Sequence, residues 1–258
     1  MEETGKNPIQ VAERLFQVIE CLAENGPMGI MDLSAQLGFH KSTTHRLVTS
    51  LQYMGYIRQD EESLKYALSL KFLEIGGKIL EQTNMASLVH PSLKKLSEQT
   101  GETVHLVRRE GTEAVYIDKV ESTVSSIRMV SRVGSRIPLY CSGVGKALLA
   151  ELPDPEIEDI WNSSEITSLT PYTVTSLSDL MDRIRGVREA GYAMDDEENE
   201  EGVRCIAVSI PDYHKEPVYA LSISAPVSRM TDARIAELST DVLTFKKDLE
   251  KTLGFSRS

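Results

Sequence analysis

Residues 31–54 read MDLSAQLGFHKSTTHRLVTSLQYM, and this stretch decides how the N-terminal third of the chain folds. Two short helical patterns flank a break at Gly38-Phe39. In the second, Leu47, Val48 and Leu51 fall at i, i+1 and i+4, with Thr44 three residues before Leu47, which predicts one core-facing side. The opposite side holds Ser42, His45, Arg46 and Thr49 at i, i+3, i+4 and i+7, with Lys41 and Thr43 at the helix start. No Asp or Glu occurs from Leu33 through Gln59. A helix lying against phosphates needs such an acid-free face, because a carboxylate there would be repelled by the duplex. The stretch therefore reads as a DNA-recognition helix; the blander alternative is a helix pair with a solvated polar face.

Working outward, Asn7-Pro8 is a good helix start, and Val11, Leu15, Val18, Ile19 and Leu22 predict an amphipathic helix ending near Gly26-Pro27, with Cys21 packed inside it. Ile30, Leu33 and Leu37 give a second helix closed by Gly38, and the third runs from about His40 to Met54. Next, Ile57 and Gln59, then Leu64, Tyr66 and Leu68, alternate about the acidic tip Asp60-Glu61-Glu62-Ser63, a hairpin pattern. Three helices and a hairpin predict a winged helix-turn-helix over 1–68. Its acidic tip leaves Arg58 and Lys65, on the flanks, to approach a DNA backbone. A strongly apolar helix over 69–84, including Leu70, Leu73 and Ile79, needs a partner and reads as a dimerising linker.

Residues 85–258 form the second expected domain. A helix from Ala86 to Gln99 leads to strands at Thr103–Val107, Ala114–Ile117 and Ile127–Val130. Helices follow at Val144–Glu151, Glu156–Trp161 and Ser178–Ala190, then strands at Val203–Ile210 and Val218–Ser224 and a final helix from Thr231 to Leu253. This order predicts an antiparallel-dominated α+β sensor domain. The acidic run from Asp195 to Glu201 reads as a solvated loop in preference to a cation site.

The totals narrow the function classes. A chain of 258 residues with net charge −11 is not coated in basic residues, and most of the deficit lies beyond residue 75. Cys21, Cys141 and Cys205 have no paired spacing, so neither a disulfide framework nor a metal site is expected. There is no membrane-length apolar run and no leader pattern, which predicts a cytoplasmic protein. No serine sits in a nucleophile elbow, and the phosphate-loop reading of Gly145-Lys146 fails at Tyr140 and Ala147, so no cofactor is expected. A small-ligand pocket has better support. Gly143 and Val144 open a helix with free N–H groups, Ser222 and Ser224 share one strand face, and Cys205 can join them. The competing account is serine hydroxyls bonded to neighbouring backbone.

KSTTHRL (41–47), KYALSLKFLEIG (65–76), GSRIPLYCSGVGKALLA (134–150), DDEENEEGVRCIAV (195–208) and ALSISAP (220–226) together resemble the IclR family of bacterial transcriptional regulators over essentially the whole chain. The resemblance implies a winged helix-turn-helix joined through a helix to a GAF-like effector domain, acting as a homodimer or homotetramer. It also implies an effector pocket at Gly143, Val144, Asp195, Cys205, Ser222 and Ser224, with Tyr140 where the family often has His. The chain is most similar to the ketodeoxygluconate (KdgR-like) branch of sugar-acid repressors. The expected function is a repressor of sugar-acid catabolic genes, binding a pseudo-palindromic double-stranded operator and released by a small carboxylate such as 2-keto-3-deoxygluconate. The alternative is an acidic cytosolic enzyme acting on a small carboxylate, with an accessory helical domain.

Overall fold

A computed structural model describes residues 9–82, 84–122, 130–212 and 214–253, with the side chains of 79–82 outside the description. The helix start expected at Asn7-Pro8, most of the strand expected at 127–130 and the contacts of Ile79 lie outside the described residues. The chain divides into two compact units, 1–83 and 84–258.

In the first unit, α1 (Gln10–Asn25), α2 (Ile30–Leu37) and α3 (Lys41–Tyr53) pack about Val18, Leu22, Leu33, Leu47, Val48 and Leu51. Cys21 is a packing residue, its thiol pushed up by burial. Gly38 ends α2 in the left-handed region at φ 66°, where a Cβ would be strained. Its N–H donates to Ala35 O, and the Phe39 N–H to Ser34 O, so the turn into α3 satisfies the carbonyls that α2 leaves open. Strands β1 (Ile57–Gln59) and β2 (Tyr66–Leu68) form the hairpin, with Arg58 opposite Ala67. Backbone bonds between Met28 and Tyr66 tie it to the α1–α2 loop. Helix α4 (Lys71–Gln82) is anchored at its start, where Lys71 donates to Met54 O at 2.7 Å and lies over the Tyr56 ring.

The second unit is an antiparallel six-stranded sheet in the order β5-β4-β3-β8-β7-β6, built from β3 (Thr103–Glu110), β4 (Glu113–Val120), β5 (Arg136–Pro138), β6 (Ala193–Asp196), β7 (Val203–Ile210) and β8 (Tyr219–Pro226). Period-two alternation divides its side chains between two cores. Val104, Leu106, Ile206, Val208, Leu221 and Ile223 meet α5 (Met85–Thr100) and α9 (Asp232–Thr252). The other face packs against α6 (Gly143–Leu149), α7 (Asp154–Asn162) and α8 (Leu177–Ala190). Asn84 caps α5 by accepting from the N–H groups of Ala86 and Ser87, and Ser176 caps α8.

Two expectations are corrected. Val130 is not in a strand; the strand beside β4 is β5. The run from Asp195 to Glu201 is not simply a solvated loop: Asp195 lies in β6, and both it and Glu198 are buried. Burial of Glu198 is made tolerable by Lys146 of α6, whose ammonium is itself buried and paired with it.

Every residue of α6 is buried, and Gly145 allows its approach: a Cβ built there would overlap the Leu139 backbone. Gly145→Ala is therefore expected to lower stability by roughly 2–3 kcal/mol in urea denaturation. Gly186→Ala, in the middle of α8 with open space around its Cα, should stabilise by about 0.5–1 kcal/mol in the same assay.

Candidate nucleic-acid interface and ligand pocket

Helix α3 sorts its residues by face. Thr44, Leu47, Val48 and Leu51 are buried, while Lys41, Ser42, His45, Arg46 and Thr49 are exposed and Thr43 is half-buried. His45 and Thr49, one turn apart, approach at 3.5 Å through Nδ1 and Oγ1. The exposed face thus presents two cations and several hydrogen-bonding groups without a carboxylate. Arg58 and Lys65 are exposed on the hairpin. Asp60 at the tip is engaged locally, accepting from the N–H and Oγ of Ser63, which holds its carboxyl below its ordinary value. One basic residue was not anticipated from sequence. Arg14 of α1 lies over the Phe39 ring and lines a groove with Thr43, Arg46 and Ser50. Its only signal was an exposed position on an amphipathic helix.

In the second unit the strand register brings distant residues into two adjacent rows. Asp195, Cys205, Ser224 and Thr103 stand side by side across β6, β7, β8 and β3. Ala193, Ala207, Ser222, His105 and Lys119 form the next row. Ser222 and Ser224 Oγ atoms are 3.4 Å apart, and both residues are buried. Gly143 lies over these rows: a Cβ on it would sit 3.4 Å from the Asp195 nitrogen and 3.5 Å from the Ala207 Cβ. Ser142 Oγ accepts from the Gly145 N–H and donates to Pro138 O. The Gly143 and Val144 N–H groups, in the first turn, have no acceptor within the helix itself.

Asp195 Oδ1 accepts from the N–H groups of Glu198 at 2.8 Å and Asn199 at 3.3 Å. Burial nevertheless pushes its carboxyl up to about 7, against the opposing pull of Lys146. Burial and then the Asp195 charge push the Cys205 thiol up, so it remains a protonated, unreactive group. Tyr140 takes another course. Its hydroxyl donates to Thr167 O at 2.8 Å and accepts from the Thr167 N–H at 3.0 Å, and its ring stands edge-on to Trp161. Those two bonds and the ring contact fix the Tyr140 hydroxyl against the Thr167 backbone. His105 was not anticipated beside the serines, since only the register shows that it faces both.

Comparison with known proteins matches residues 11–61 to the IclR helix-turn-helix domain and residues 77–250 to the C-terminal domain of bacterial IclR transcriptional regulators. The chain is 36% identical over 252 residues to the acetate operon repressor of Salmonella typhimurium, covering 96% of this chain and 92% of that protein. It is 35% identical over 255 residues to the HTH-type transcriptional regulator KdgR of Escherichia coli, covering 98% and 97%. The crystal structure of Thermotoga maritima IclR superposes with a TM-score of 0.64 at 31% identity, covering 95% of this chain and 99% of that one.

Because the fold raises the Asp195 carboxyl above its ordinary 3.8, its protonated form is the one the fold favours. The group's stability contribution is complete below about pH 4 and is lost as pH rises towards about 7. Asp195→Asn keeps an acceptor for the two N–H groups and removes the charge. It is expected to match the parent near pH 4 and to exceed it above pH 7 by on the order of 4 kcal/mol. Urea denaturation at a series of pH values checks this, and a pH-independent difference would contradict it.

Proposed function

Since the chain belongs to the IclR family of bacterial transcriptional regulators, we propose that it is a repressor whose α3 enters the major groove of an operator and whose second unit binds a small carboxylate that releases it. The observation that carries this reading is the face of α3: Lys41, Ser42, His45, Arg46 and Thr49 exposed together within a stretch that has no acid from Leu33 to Gln59. Membership of a family of regulators sets aside the enzyme alternative. Thr43 completes the helix contact, and Arg58 and Lys65 meet phosphates from the hairpin.

In this reading 1–68 is the winged helix-turn-helix, 69–84 the linker and 85–258 the GAF-like effector domain of a cytoplasmic homodimer or homotetramer. Leu70 and Leu73, 76% and 71% exposed on and beside α4, supply apolar surface for a second copy. Two recognition helices then read a pseudo-palindrome with half-sites about one helical turn, or a multiple of it, apart. Among the described residues no helix is long and apolar enough to cross a membrane.

The effector pocket uses the N–H groups of Gly143 and Val144 and the hydroxyls of Ser222 and Ser224 for the carboxylate. Asp195, near neutrality, accepts from ligand hydroxyls, and Cys205 is a small wall. A 2-keto sugar acid such as 2-keto-3-deoxygluconate has the matching groups. The ligand acts by binding the operator-free form more tightly, since only differential affinity shifts an equilibrium.

Two measurements test the two halves. Arg46→Ala should weaken operator binding by roughly 1–3 kcal/mol if Arg46 reads a base, and uniformly across sequences if it meets a phosphate. Unchanged affinity in a folded variant would remove Arg46 from the interface. The double change Ser222→Ala and Ser224→Ala should weaken effector binding about tenfold or more in calorimetry with 2-keto-3-deoxygluconate, with ligand-free operator binding intact. Equal heats for parent and double variant would place the pocket elsewhere.

A further inference from the structure

His105 is central to the polar sheet face yet has no part in the family's pocket as described above. Its Nδ1 lies 3.4 Å from Ser222 Oγ and 3.3 Å from Ser224 Oγ, and its Nε2 lies 2.7 Å from Ser131 Oγ. The residue is 2% exposed, with its ring edge-on to Tyr116. Burial, reinforced by the Lys119 cation, pushes the imidazole down to about 3, so near neutral pH it is uncharged and only one ring nitrogen carries a proton.

The surroundings favour one tautomer. Lys119 Nζ donates to Ser131 O at 2.8 Å and to Glu121 Oε1 at 3.1 Å, which puts a positive charge beside the residue that meets Nε2. A cation stabilises a lone pair facing it and opposes an N–H dipole pointing the same way. Ser131 Oγ–H can donate to that lone pair. The proton then belongs on Nδ1, where it is shared between two serine oxygens. Each serine is an acceptor on that side, and its own O–H is left to donate elsewhere. With the other tautomer the serine protons would be drawn towards Nδ1 and their lone pairs would face a ligand.

We propose that His105, protonated at Nδ1 and accepting from Ser131 at Nε2, is a positioning residue that turns the hydroxyl protons of Ser222 and Ser224 outward as a pair of donors, so that the site selects a carboxylate over its neutral isostere. The proposal rests on the reading of the serine face as the effector pocket. It deepens that reading by assigning the donor polarity of the serines to a third residue on a neighbouring strand.

The tautomer is measured in the ligand-free full chain by long-range nitrogen–proton NMR of [15N]histidine-labelled protein, with His105→Asn identifying the signal. Protonated Nδ1 and unprotonated Nε2 are expected; the reverse assignment would overturn the proposal. Calorimetry then compares pyruvate and 2-keto-3-deoxygluconate with neutral pyruvamide. His105→Asn, whose amide nitrogen takes the place of Nδ1, should keep the preference for the acids. His105→Gln and His105→Phe should lose about tenfold in affinity for the acids and little for the amide, a hydrogen bond's typical worth. Equal losses for acid and amide in all three folded variants would reduce His105 to packing and overturn the proposal. Failure of the unaltered protein to bind any carboxylate would sink the pocket reading and the ligand selection with it. The tautomer, measured without ligand, distinguishes that failure from an error about His105.

Discussion

A buried lysine organises the second unit. Helix α6 is enclosed along its whole length, so Lys146 cannot extend its ammonium to water and must find its counter-charge inside the protein. Glu198 provides it, from a segment 52 residues away. Removing either partner alone would strand a buried charge, at a cost of about 3–5 kcal/mol. The pair therefore fixes more than itself. Holding Glu198 inward brings its N–H to Asp195 Oδ1, while its carbonyl accepts from Thr173 and the neighbouring Glu197 carbonyl accepts from Thr170. The position of Asp195 beside the first turn of α6 follows from that arrangement.

The first unit follows a different rule, the local separation of charge from a global excess of acid. Screening at physiological salt confines the reach of an exposed charge to about 8 Å, so a helix face free of carboxylates can meet a polyanion although the whole chain carries −11. The hairpin tip shows the complementary device. Asp60 spends its carboxylate on Ser63, making a turn with an acid that would otherwise only repel.

The helices and long strands were legible because their apolar residues repeat with the period of the element that buries them: Leu47, Val48 and Leu51 in α3, and Val203–Ile210 as a strand with the same limits in the structure. The face of α3 was legible for the same reason. What escaped depended on partners remote in sequence. Four consecutive acids, Asp195 to Glu198, look solvated until Lys146 is known to lie against one of them. Tyr140 could be aligned with a family position, but its two bonds to Thr167 depend on a loop that no local pattern specifies. His105 was placed on the right strand, and only the β3–β8 register discloses which residues it faces.

The alternation along the sheet also makes the domain modular. Residues 103, 105, 205, 222 and 224 look towards one layer of helices, and their immediate neighbours 104, 206, 221 and 223 build a separate apolar core on the reverse side. Groups at the first set, which includes the proposed effector pocket, can be exchanged while the second set continues to hold the strands in register. Tight packing on one side thus insulates chemical drift on the other. A library confined to the odd-numbered positions of β3 and β7 and the even-numbered positions of β8 would vary the serine face with little trespass on the α5–α9 core.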